Sequence, residues 1–285
     1  MEIKASQVKE LRDMTGVAMM ECKKALVECD GELEKALDLL RSNSALKAEK
    51  KAARVAADGV LKIFVGNEYA TLIEINSETD FAAKDSNFIS FTNDVNEYIS
   101  NNMVSNVSEL NNSEIEDKRK ALVQTIGENI QLRRLDTKEY SAEMSAGSYL
   151  HSDSKLGAVV VVSGGDESLA KDIAMHVAAF NPLCLSEDDL DPDILEREKA
   201  IYIVQAEESG KPKEIMDKII EGKLKRYLSE VSLLSQDFVK DSEVSIQELL
   251  NSKNAKIEYY SRLKVGEGIE VETKSFADEV AEQLK

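Results

Sequence analysis

The sequence predicts an α+β protein with an N-terminal three-helix bundle, a two-part α+β core with antiparallel sheets, an inserted helical hairpin and a C-terminal helix. Apolar residues recur at helical spacing in the first 45 residues, and strand patterns with a hairpin signal follow from residue 60. From residue 188 the pattern is helical again. Because strand, turn, strand and helix occur twice in between, two related core halves are expected.

Length and charge limit the class of protein and of partner. A chain of 285 residues is expected to form two or three domains. No apolar run approaches the roughly 20 residues that a membrane span needs, and the amino end lacks an apolar signal core, so a cytoplasmic protein is expected. The formal net charge of -18 repels phosphate backbones. We therefore expect a protein partner, with no nucleic acid and no membrane.

Residue types that build common catalytic and metal sites are sparse. The cysteines Cys22, Cys29 and Cys184 lack paired C-x-x-C spacing, so core thiols are expected rather than a zinc site. Neither His151 nor His176 lies near a serine or cysteine elbow, and no phosphate-loop or dinucleotide fingerprint is present. The sequence thus predicts a protein that is not an enzyme and needs no cofactor or metal.

The first elements are three short helices with apolar stripes that can be buried together. Ser6 is expected to cap the first helix, which has Val8, Leu11 and Met14 on one face and ends at Thr15-Gly16. Two further stripes lie on either side of a turn at Asp30-Gly31: Cys22, Ala25, Leu26 and Cys29, then Leu33, Ala36, Leu37 and Leu40. Residues 45–57 are expected to form a helical, solvated linker.

Met19 and Met20 lie between the first two helices. Adjacent helical residues point in different directions, so both methionines cannot face one core. At least one is expected to be exposed as adaptable apolar surface for a partner. The alternative is that both fill gaps in a small core.

The first core half is predicted to contain a β-hairpin and two helices. Strands at 60–65 and 69–75 flank Gly66-Asn67, a two-residue turn signal, and another strand is expected at 130–135. A surface connection at 101–113 leads to a helix over 115–126 that stops at Gly127. The helix that follows the hairpin has one apolar face, formed by Phe88, Phe91, Val95, Tyr98 and Ile99.

The loop at residues 76–84 connects the hairpin to this helix. Asp80 and Phe81 lie among the small residues Thr79, Ala82 and Ala83, which would leave both larger side chains projecting from a tip. In the alternative interpretation Phe81 is a core residue and Asp80 caps the helix. The residues alone leave both interpretations open.

The second core half is predicted from residue 145 onward. Strands are expected at 149–151, 157–162, 229–239 and 257–263, of which 157–162 is apolar on both faces and therefore buried. Gly164-Gly165 turns into a helix over 169–180 that stops at Asn181-Pro182.

Two long helices joined at 209–212 interrupt this half and are expected to form an antiparallel hairpin. Its apolar positions can join the two helices and leave a stripe for self-association, although packing on the core is an equal alternative. These positions include Leu195, Ile201, Val204, Ile215, Ile219 and Leu224. A final amphipathic helix carries Phe276, Val280 and Leu284 and is expected to dock on its own core.

Seven motifs, in order along the chain, resemble the bacterial translation elongation factor Ts family. They are residues 15–26 (TGVAMMECKKAL), 56–59 (AADG), 79–81 (TDF), 126–129 (IGEN), 173–179 (IAMHVAA), 209–212 (SGKP) and 265–269 (VGEGI). The resemblance implies a guanine-nucleotide exchange factor for elongation factor Tu, which promotes GDP release by displacing Mg2+ and distorting the nucleotide site. It also implies a ubiquitin-associated-like bundle and a coiled-coil hairpin that forms a homodimer or a two-to-two complex.

The resemblance further implies domain limits and site residues. The bundle with its linker would occupy 1–54, the core halves 55–140 and 141–184 with 226–262, the dimerisation hairpin 185–225 and a C-terminal module 263–285. Mg2+ would be dislodged by Thr79, Asp80, Phe81 and Ala82. The partner, GDP-bound or nucleotide-free, would be contacted by Met19, Met20, Lys23, Ile126, Gly127, His151 and Val231. Ala82 departs from the family's usual valine, and Asp237 in Gln236-Asp237-Phe238 from its usual proline.

Two other classes remain open. One is a non-catalytic adaptor with a ubiquitin-associated-like domain, whose first fifty residues alone would bind the target. The other is a hydrolase that uses Asp80 with Glu78, although no nucleophile or metal cluster stands beside them in the sequence.

Overall fold

The computed structural model describes residues 3–208 and 212–270, apart from the side chain of Glu214. These residues form helices and antiparallel sheets, which confirms the predicted α+β class. The expected C-terminal helix with Phe276, Val280 and Leu284 lies outside the described residues, as do positions 209–211 of the expected break at 209–212.

Three helices form the amino end: α1 (Ala5–Thr15), α2 (Met19–Glu28) and α3 (Leu33–Lys51). They enclose an apolar cluster that includes Val8, Leu11, Cys22, Leu26 and Leu40. The cap of α1 is Lys4 and not Ser6 as predicted, and the helix ends at Gly16 with a φ of 65°. Met14 is 57% exposed, so its predicted place on the apolar face is wrong.

Helix α3 extends well beyond the bundle. The segment predicted as a solvated linker supplies its last turns, in which Ala48 is buried in the apolar core of the first half. The prediction of full solvation is therefore wrong, because one face of the segment packs on the core. The same helix thereby connects the bundle to the first core half.

The first half is a three-stranded antiparallel sheet in the order β1-β2-β3 with helices on one face. Its elements are β1 (Asp58–Val65), β2 (Tyr69–Ser77), α4 (Asp80–Ala83), α5 (Ser86–Asn102), α6 (Val107–Asn111), α7 (Glu114–Ile126) and β3 (Gln131–Glu139). Because the Gly66 N–H donates to the Tyr69 carbonyl at 2.9 Å, the hairpin turn is Asn67-Glu68, one residue later than predicted. The stretch 101–113 is not simply a surface connection, since it contains α6, in which Leu110 is fully buried.

The second half has the strand order β4-β5-β8 and a small separate hairpin of β6 and β7. Its elements are β4 (Met144–Leu150), β5 (Leu156–Ser163), α8 (Glu167–Phe180), β6 (Asp237–Phe238), β7 (Asp241–Ser245), α11 (Ile246–Ser252) and β8 (Lys256–Lys264). The burial of β5 is confirmed. The strand predicted at 229–239 is wrong except for β6, because a helix continues to Val231 and Ser232 meets Cys184 in an isolated bridge.

Two helices, α9 (Pro192–Glu208) and α10 (Lys213–Val231), lie between α8 and β6 in the chain and contact each other. The Nζ of Lys223 donates to Oε1 of Gln205 across the pair at 2.6 Å. Ile201, Val204 and Ile215 do not join the two helices, since they are 48%, 54% and 48% exposed, and they form the apolar stripe that was expected to be left over. The expected boundary at 225 falls inside α10.

The two three-stranded sheets pack face to face. Leu61 and Leu72 of the first sheet meet Val159, Val161 and Leu263 of the second. The outer face of each sheet is covered by helices, α5 and α7 on the first and α8 and α11 on the second. Strand β2 is therefore covered on both faces and ends, fully buried, at the loop that carries the candidate site.

Candidate functional site

The tip, defined as Thr79, Asp80, Phe81 and Ala82, follows directly after β2. Helix α4 is a single turn capped by Thr79, whose Oγ1 accepts the Ala82 N–H at 3.2 Å. Phe81 is 82% exposed, whereas Ala82 beneath it is 4% exposed. The structure thus excludes Phe81 as a core residue and gives the capping role to Thr79 and not to Asp80.

Asp80 forms an ion pair within the tip. Its Oδ2 lies 2.7 Å from Nζ of Lys84, one helical turn further on. The hydrogen bond from Lys84 lowers the pKa of Asp80, and the charge of Lys155 acts in the same direction. Asp80 is therefore a carboxylate at neutral pH, held by a contact that water screens.

Hydrogen bonds connect the tip to the residues that follow α7. Glu128 accepts two hydrogen bonds from Thr79, from the backbone N–H at 3.0 Å and from Oγ1 at 2.7 Å. In return, Oε1 of Glu78 accepts the backbone N–H of Asn129 at 2.7 Å. Gly127, with a φ of 85°, ends α7 and turns the chain so that Glu128 and Asn129 face these partners.

The same corner holds the end of α3. Nζ of Lys51 donates a hydrogen bond to the Gly127 carbonyl. Nδ2 of Asn129 donates to the Arg54 carbonyl at 2.7 Å, and the Arg54 guanidinium lies 3.5 Å from Glu78. The predicted contact residues Ile126 and Gly127 therefore lie where the bundle, α7 and the tip meet.

The predicted contact residues of α2 lie on the outer face of the bundle. Met19 is 50% and Met20 65% exposed, and Lys23 is exposed as well. Both methionines thus point away from the core, which excludes the alternative that they fill gaps in it. Glu21 lies in the same helix, between these methionines and Lys23. It forms an ion pair with Lys47 at 2.6 Å and accepts a hydrogen bond from Gln124 of α7 at 3.2 Å, so this surface is connected to the helix that ends at Gly127.

His151 lies in the loop between β4 and β5, on the other core half. Its Nδ1 is 2.8 Å from Oδ1 of Asp153, and both side chains are about half exposed. Lys155 of the same loop binds Asp58 of β1 at 3.0 Å, and Asp58 pairs with Ser77 of β2, two residues before the tip. The loop is thereby connected to the strand that leads into the tip.

Val231 is the predicted contact residue that the structure does not bring to this group. It ends α10, is partly buried, and its carbonyl accepts the Leu183 N–H at 2.8 Å. In the described part of the chain, hydrogen bonds and ion pairs connect α2, the Gly127 corner and the tip, and Lys155 connects the His151 loop to β1. Val231 takes part in none of these contacts. Val231 belongs to a second surface.

A buried carboxylate that was not predicted from the sequence lies in β2, five residues before the tip. Glu74 of β2 is fully buried and accepts from Arg133, Arg134 and Asn76 and from the Gly266 N–H at 2.8 Å. Burial pushes the pKa of Glu74 upward, but these four hydrogen bonds outweigh it and hold the pKa below its ordinary value. The only signal in the sequence is an acidic residue between two isoleucines in a strand.

The loop at Gln236-Asp237-Phe238, where the sequence departs from the family pattern, is anchored by a buried histidine. His176 accepts the Val239 N–H at Nδ1, so its Nε2 carries the proton that is donated to Oε1 of Gln236 at 2.9 Å. Burial lowers the pKa of His176, which keeps this neutral tautomer. Asp237 itself is exposed.

Residues 3–208 and 212–270 contain no group of three or more histidine, cysteine, aspartate or glutamate side chains that converges as metal ligands. None of the helices in this part of the chain is both long and apolar enough to cross a bilayer.

An exposed aromatic ring on a hydrogen-bonded support, together with the exposed methionines of α2, is suited to contact with another protein. Fold and site thus define the class as a factor that acts through protein contacts. A family model described as Elongation factor TS matches residues 78–267. Curated relatives named Elongation factor Ts are 48% identical in Hahella chejuensis (99% of both chains covered) and 44% in Thioalkalivibrio sulfidiphilus (100% of this chain and 99% of the relative). Another, in Francisella tularensis subsp. novicida, is 47% identical with 99% of both chains covered.

The chain belongs to the elongation factor Ts family, which confirms the resemblance drawn from its motifs. Membership makes it a translation elongation factor of the exchange-factor type, acting in protein biosynthesis.

Proposed function

We propose that this protein is a guanine-nucleotide exchange factor for elongation factor Tu and works in the bacterial cytoplasm without being an enzyme itself. It promotes GDP release by displacing Mg2+ and distorting the nucleotide site of its partner. The observation that carries the proposal is Phe81, a large apolar ring 82% exposed on a capped helical turn. A ring in that position contributes little to its own fold and is free to enter a partner.

The tip acts on the metal. Bound nucleotides are held by backbone groups around the phosphates and by Mg2+, often the largest local charge in such a site. A wedge that displaces Mg2+ therefore loosens the nucleotide without touching it. Phe81 is the wedge, and Asp80 competes at the metal site after leaving Lys84. Ala82 supports them from below, since it is buried.

Exchange follows from unequal affinities. If the protein binds nucleotide-free factor Tu more tightly than the GDP-bound form, nucleotide affinity falls by the same factor. Moving the partner from 1:99 to 99:1 requires about 5.5 kcal/mol of differential binding. Burying one phenylalanine contributes about 1.5–3 kcal/mol. Contacts beyond Phe81 must therefore supply the remainder.

Those contacts are assigned to the surface around the tip. Met19, Met20 and Lys23 on α2, and Ile126 with Gly127, bind the nucleotide-binding domain of the partner. The hydrogen bonds between α2, α7 and the tip support a single continuous contact here. His151 extends it on the other core half, and Val231 provides a separate contact.

The domain organisation is proposed along the same lines. Residues 1–54 form a ubiquitin-associated-like domain with linker, 55–140 and 141–184 with 226–262 the core halves, and 263–285 the C-terminal module. Residues 185–225 form a coiled-coil module for a homodimer or a two-to-two complex. Exposed Ile201, Val204 and Ile215 on α9 and α10 support such self-association.

The direct test measures release of labelled GDP from elongation factor Tu with and without this protein. Faster release that depends on its concentration supports the proposal, and an unchanged rate refutes it. The second candidate, a non-catalytic adaptor, is favoured by the exposed Met19 and Met20 on a bundle with its own apolar cluster. It predicts that residues 1–54 alone bind the target as tightly as the whole chain.

A further inference from the structure

Helix α4 is too short to hold the tip by itself. It spans Asp80–Ala83, a single turn. Closing a first helical turn fixes several backbone angles for one hydrogen bond, so an isolated turn is unstable. Contacts from elsewhere in the chain must therefore fix the direction in which Phe81 points.

The contact that meets this need comes from Glu128. Its Oε2 accepts the Thr79 N–H at 3.0 Å and its Oε1 accepts the Thr79 hydroxyl at 2.7 Å. With its proton directed at Glu128, the hydroxyl oxygen keeps a lone pair for the Ala82 N–H, which is the capping bond of α4. Glu128 thus selects the hydroxyl orientation in which Thr79 can cap the helix.

A carboxylate suits this position better than an amide of the same shape. Both donors from Thr79 need an acceptor, and glutamate offers an acceptor oxygen to each. Glutamine would offer its one oxygen to the Thr79 N–H, and its NH2 group would donate to the Thr79 hydroxyl instead of accepting the hydroxyl proton. The substitution Glu128→Gln therefore replaces two charge-assisted hydrogen bonds by neutral ones and no longer orients the hydroxyl proton, with almost no change of volume.

Glu128 is itself held in place. It follows Gly127, the left-handed residue that ends α7, and precedes Asn129, whose N–H binds Glu78 at 2.7 Å. Residues 78–79 and 128–129 thus lie side by side, and each pair supplies a carboxylate to a backbone amide of the other. These two hydrogen bonds fix the position of the tip relative to the end of α7.

We infer that Glu128 is a positioning residue for exchange, which orients Phe81 through Thr79 and need not touch the partner. The inference rests on the proposed function of the tip. It assigns the orientation of the tip to a long-range side-chain contact that acts beside the burial of Ala82 and is separate from the ring of Phe81.

Glu109 provides a matched control. It accepts the Ser105 N–H at 3.2 Å through Oε2 and the Ser105 hydroxyl at 2.6 Å through Oε1, as Glu128 does from Thr79, and its Oε1 also accepts Nδ2 of Asn106 at 2.6 Å. This second clamp lies at α6, away from the tip. Glu109→Gln thus replaces a carboxylate by an amide in the same way, at a place where GDP release should not change.

The experiment compares Glu128→Gln, Thr79→Val and Glu109→Gln in the full-length protein. Amide hydrogen exchange of residues 79–84 reports the order of the tip without the partner, and labelled-GDP release reports function. We expect faster amide exchange at the tip and GDP release slowed about three- to tenfold for the first two variants, the factor that one ordinary hydrogen bond contributes. Glu109→Gln should raise amide exchange only around residues 105–109 and leave GDP release unchanged.

Combination with Phe81→Ala separates this inference from the proposed function. If Glu128 acts through the ring, Glu128→Gln slows release no further once Phe81 is alanine. An additional loss in that background, or unchanged amide exchange at 79–84, overturns the positioning role. Unchanged GDP release in Glu128→Gln also overturns it when Phe81→Ala is slow. Parental release by Phe81→Ala itself refutes the wedge and leaves Glu128 with no role in exchange.

Discussion

Replacing Phe81 by alanine separates a role in exchange from a role in stability. Full burial of a phenylalanine side chain contributes about 1.5–3 kcal/mol. Since Phe81 is 82% exposed, less than a fifth of that surface is covered in this protein. Phe81→Ala should therefore cost only about 0.3–0.5 kcal/mol of folding stability. Thermal unfolding of the variant should be nearly that of the parent.

The same ring should matter much more in the complex. If its exposed surface is buried when it enters factor Tu, losing it costs about 1.5–3 kcal/mol, or about 10- to 150-fold in the rate of GDP release. The assay follows release of labelled GDP at saturating Mg2+ and again with a chelator. We expect the deficit to shrink on chelation, because a wedge that displaces the metal has little left to do once the metal is gone.

Phe88 is the matched control within the same half. It is fully buried in the cluster that covers the first sheet, so Phe88→Ala should cost about 3–5 kcal/mol of stability. A Phe81→Ala variant that unfolds as readily as Phe88→Ala would show that the ring is structural. One that stays folded and releases GDP at the parental rate would show that the tip does not drive exchange.

Three further predictions concern other parts of the molecule. Glu74 has a pKa held below its ordinary value, so its contribution to stability is complete above about pH 4.5 and is lost as the pH falls through the lower folded-state pKa. Glu74→Gln should lose about 3 kcal/mol at pH 7 and less at pH 3, in thermal unfolding. Replacing Met19 and Met20 by alanine should weaken binding to factor Tu, measured by calorimetry, at parental thermal stability, because both side chains are exposed. An unchanged affinity would exclude them from the contact. Removal of residues 185–225 should give a lighter species in sedimentation that still releases GDP, whereas loss of exchange at unchanged mass would contradict the proposed role in self-association.

Elements defined by local pattern could be predicted from the sequence. The helix over 115–126 and its stop at Gly127 are correct to within a residue, because apolar spacing and a left-handed glycine are both local signals. Two missed helices, α6 and α11, also carry a local signal. Asn106 and Glu109, and Ser245 and Glu248, have capping-box spacing.

The hydrogen bonds of Glu74 and Thr79 could not be predicted, because their partners are distant in sequence. Glu74 binds Arg133, Arg134 and the Gly266 amide, which come from later parts of the chain. Thr79 depends on Glu128 in the same way. The small residues around Asp80 and Phe81 identified the tip as a candidate site. Only the folded chain shows that Phe81 is exposed while its neighbour Ala82 is buried.

Of the carboxylates Glu78, Asp80 and Glu128 around the tip, only Asp80 can change its contact without loss of the support. Glu78 and Glu128 are committed to backbone amides, and breaking either contact would release the support. Asp80 is different, since its partner is the exposed side chain of Lys84. Exposed ion pairs contribute little to stability, so Asp80 can leave Lys84 for a metal or for a donor on factor Tu without loosening α4. The proposed wedge, its support and the carboxylate proposed to change partners are thus different residues. Lys84→Met should accordingly leave amide exchange at 79–83 unchanged, and a loosened α4 in that variant would show that the ion pair belongs to the support.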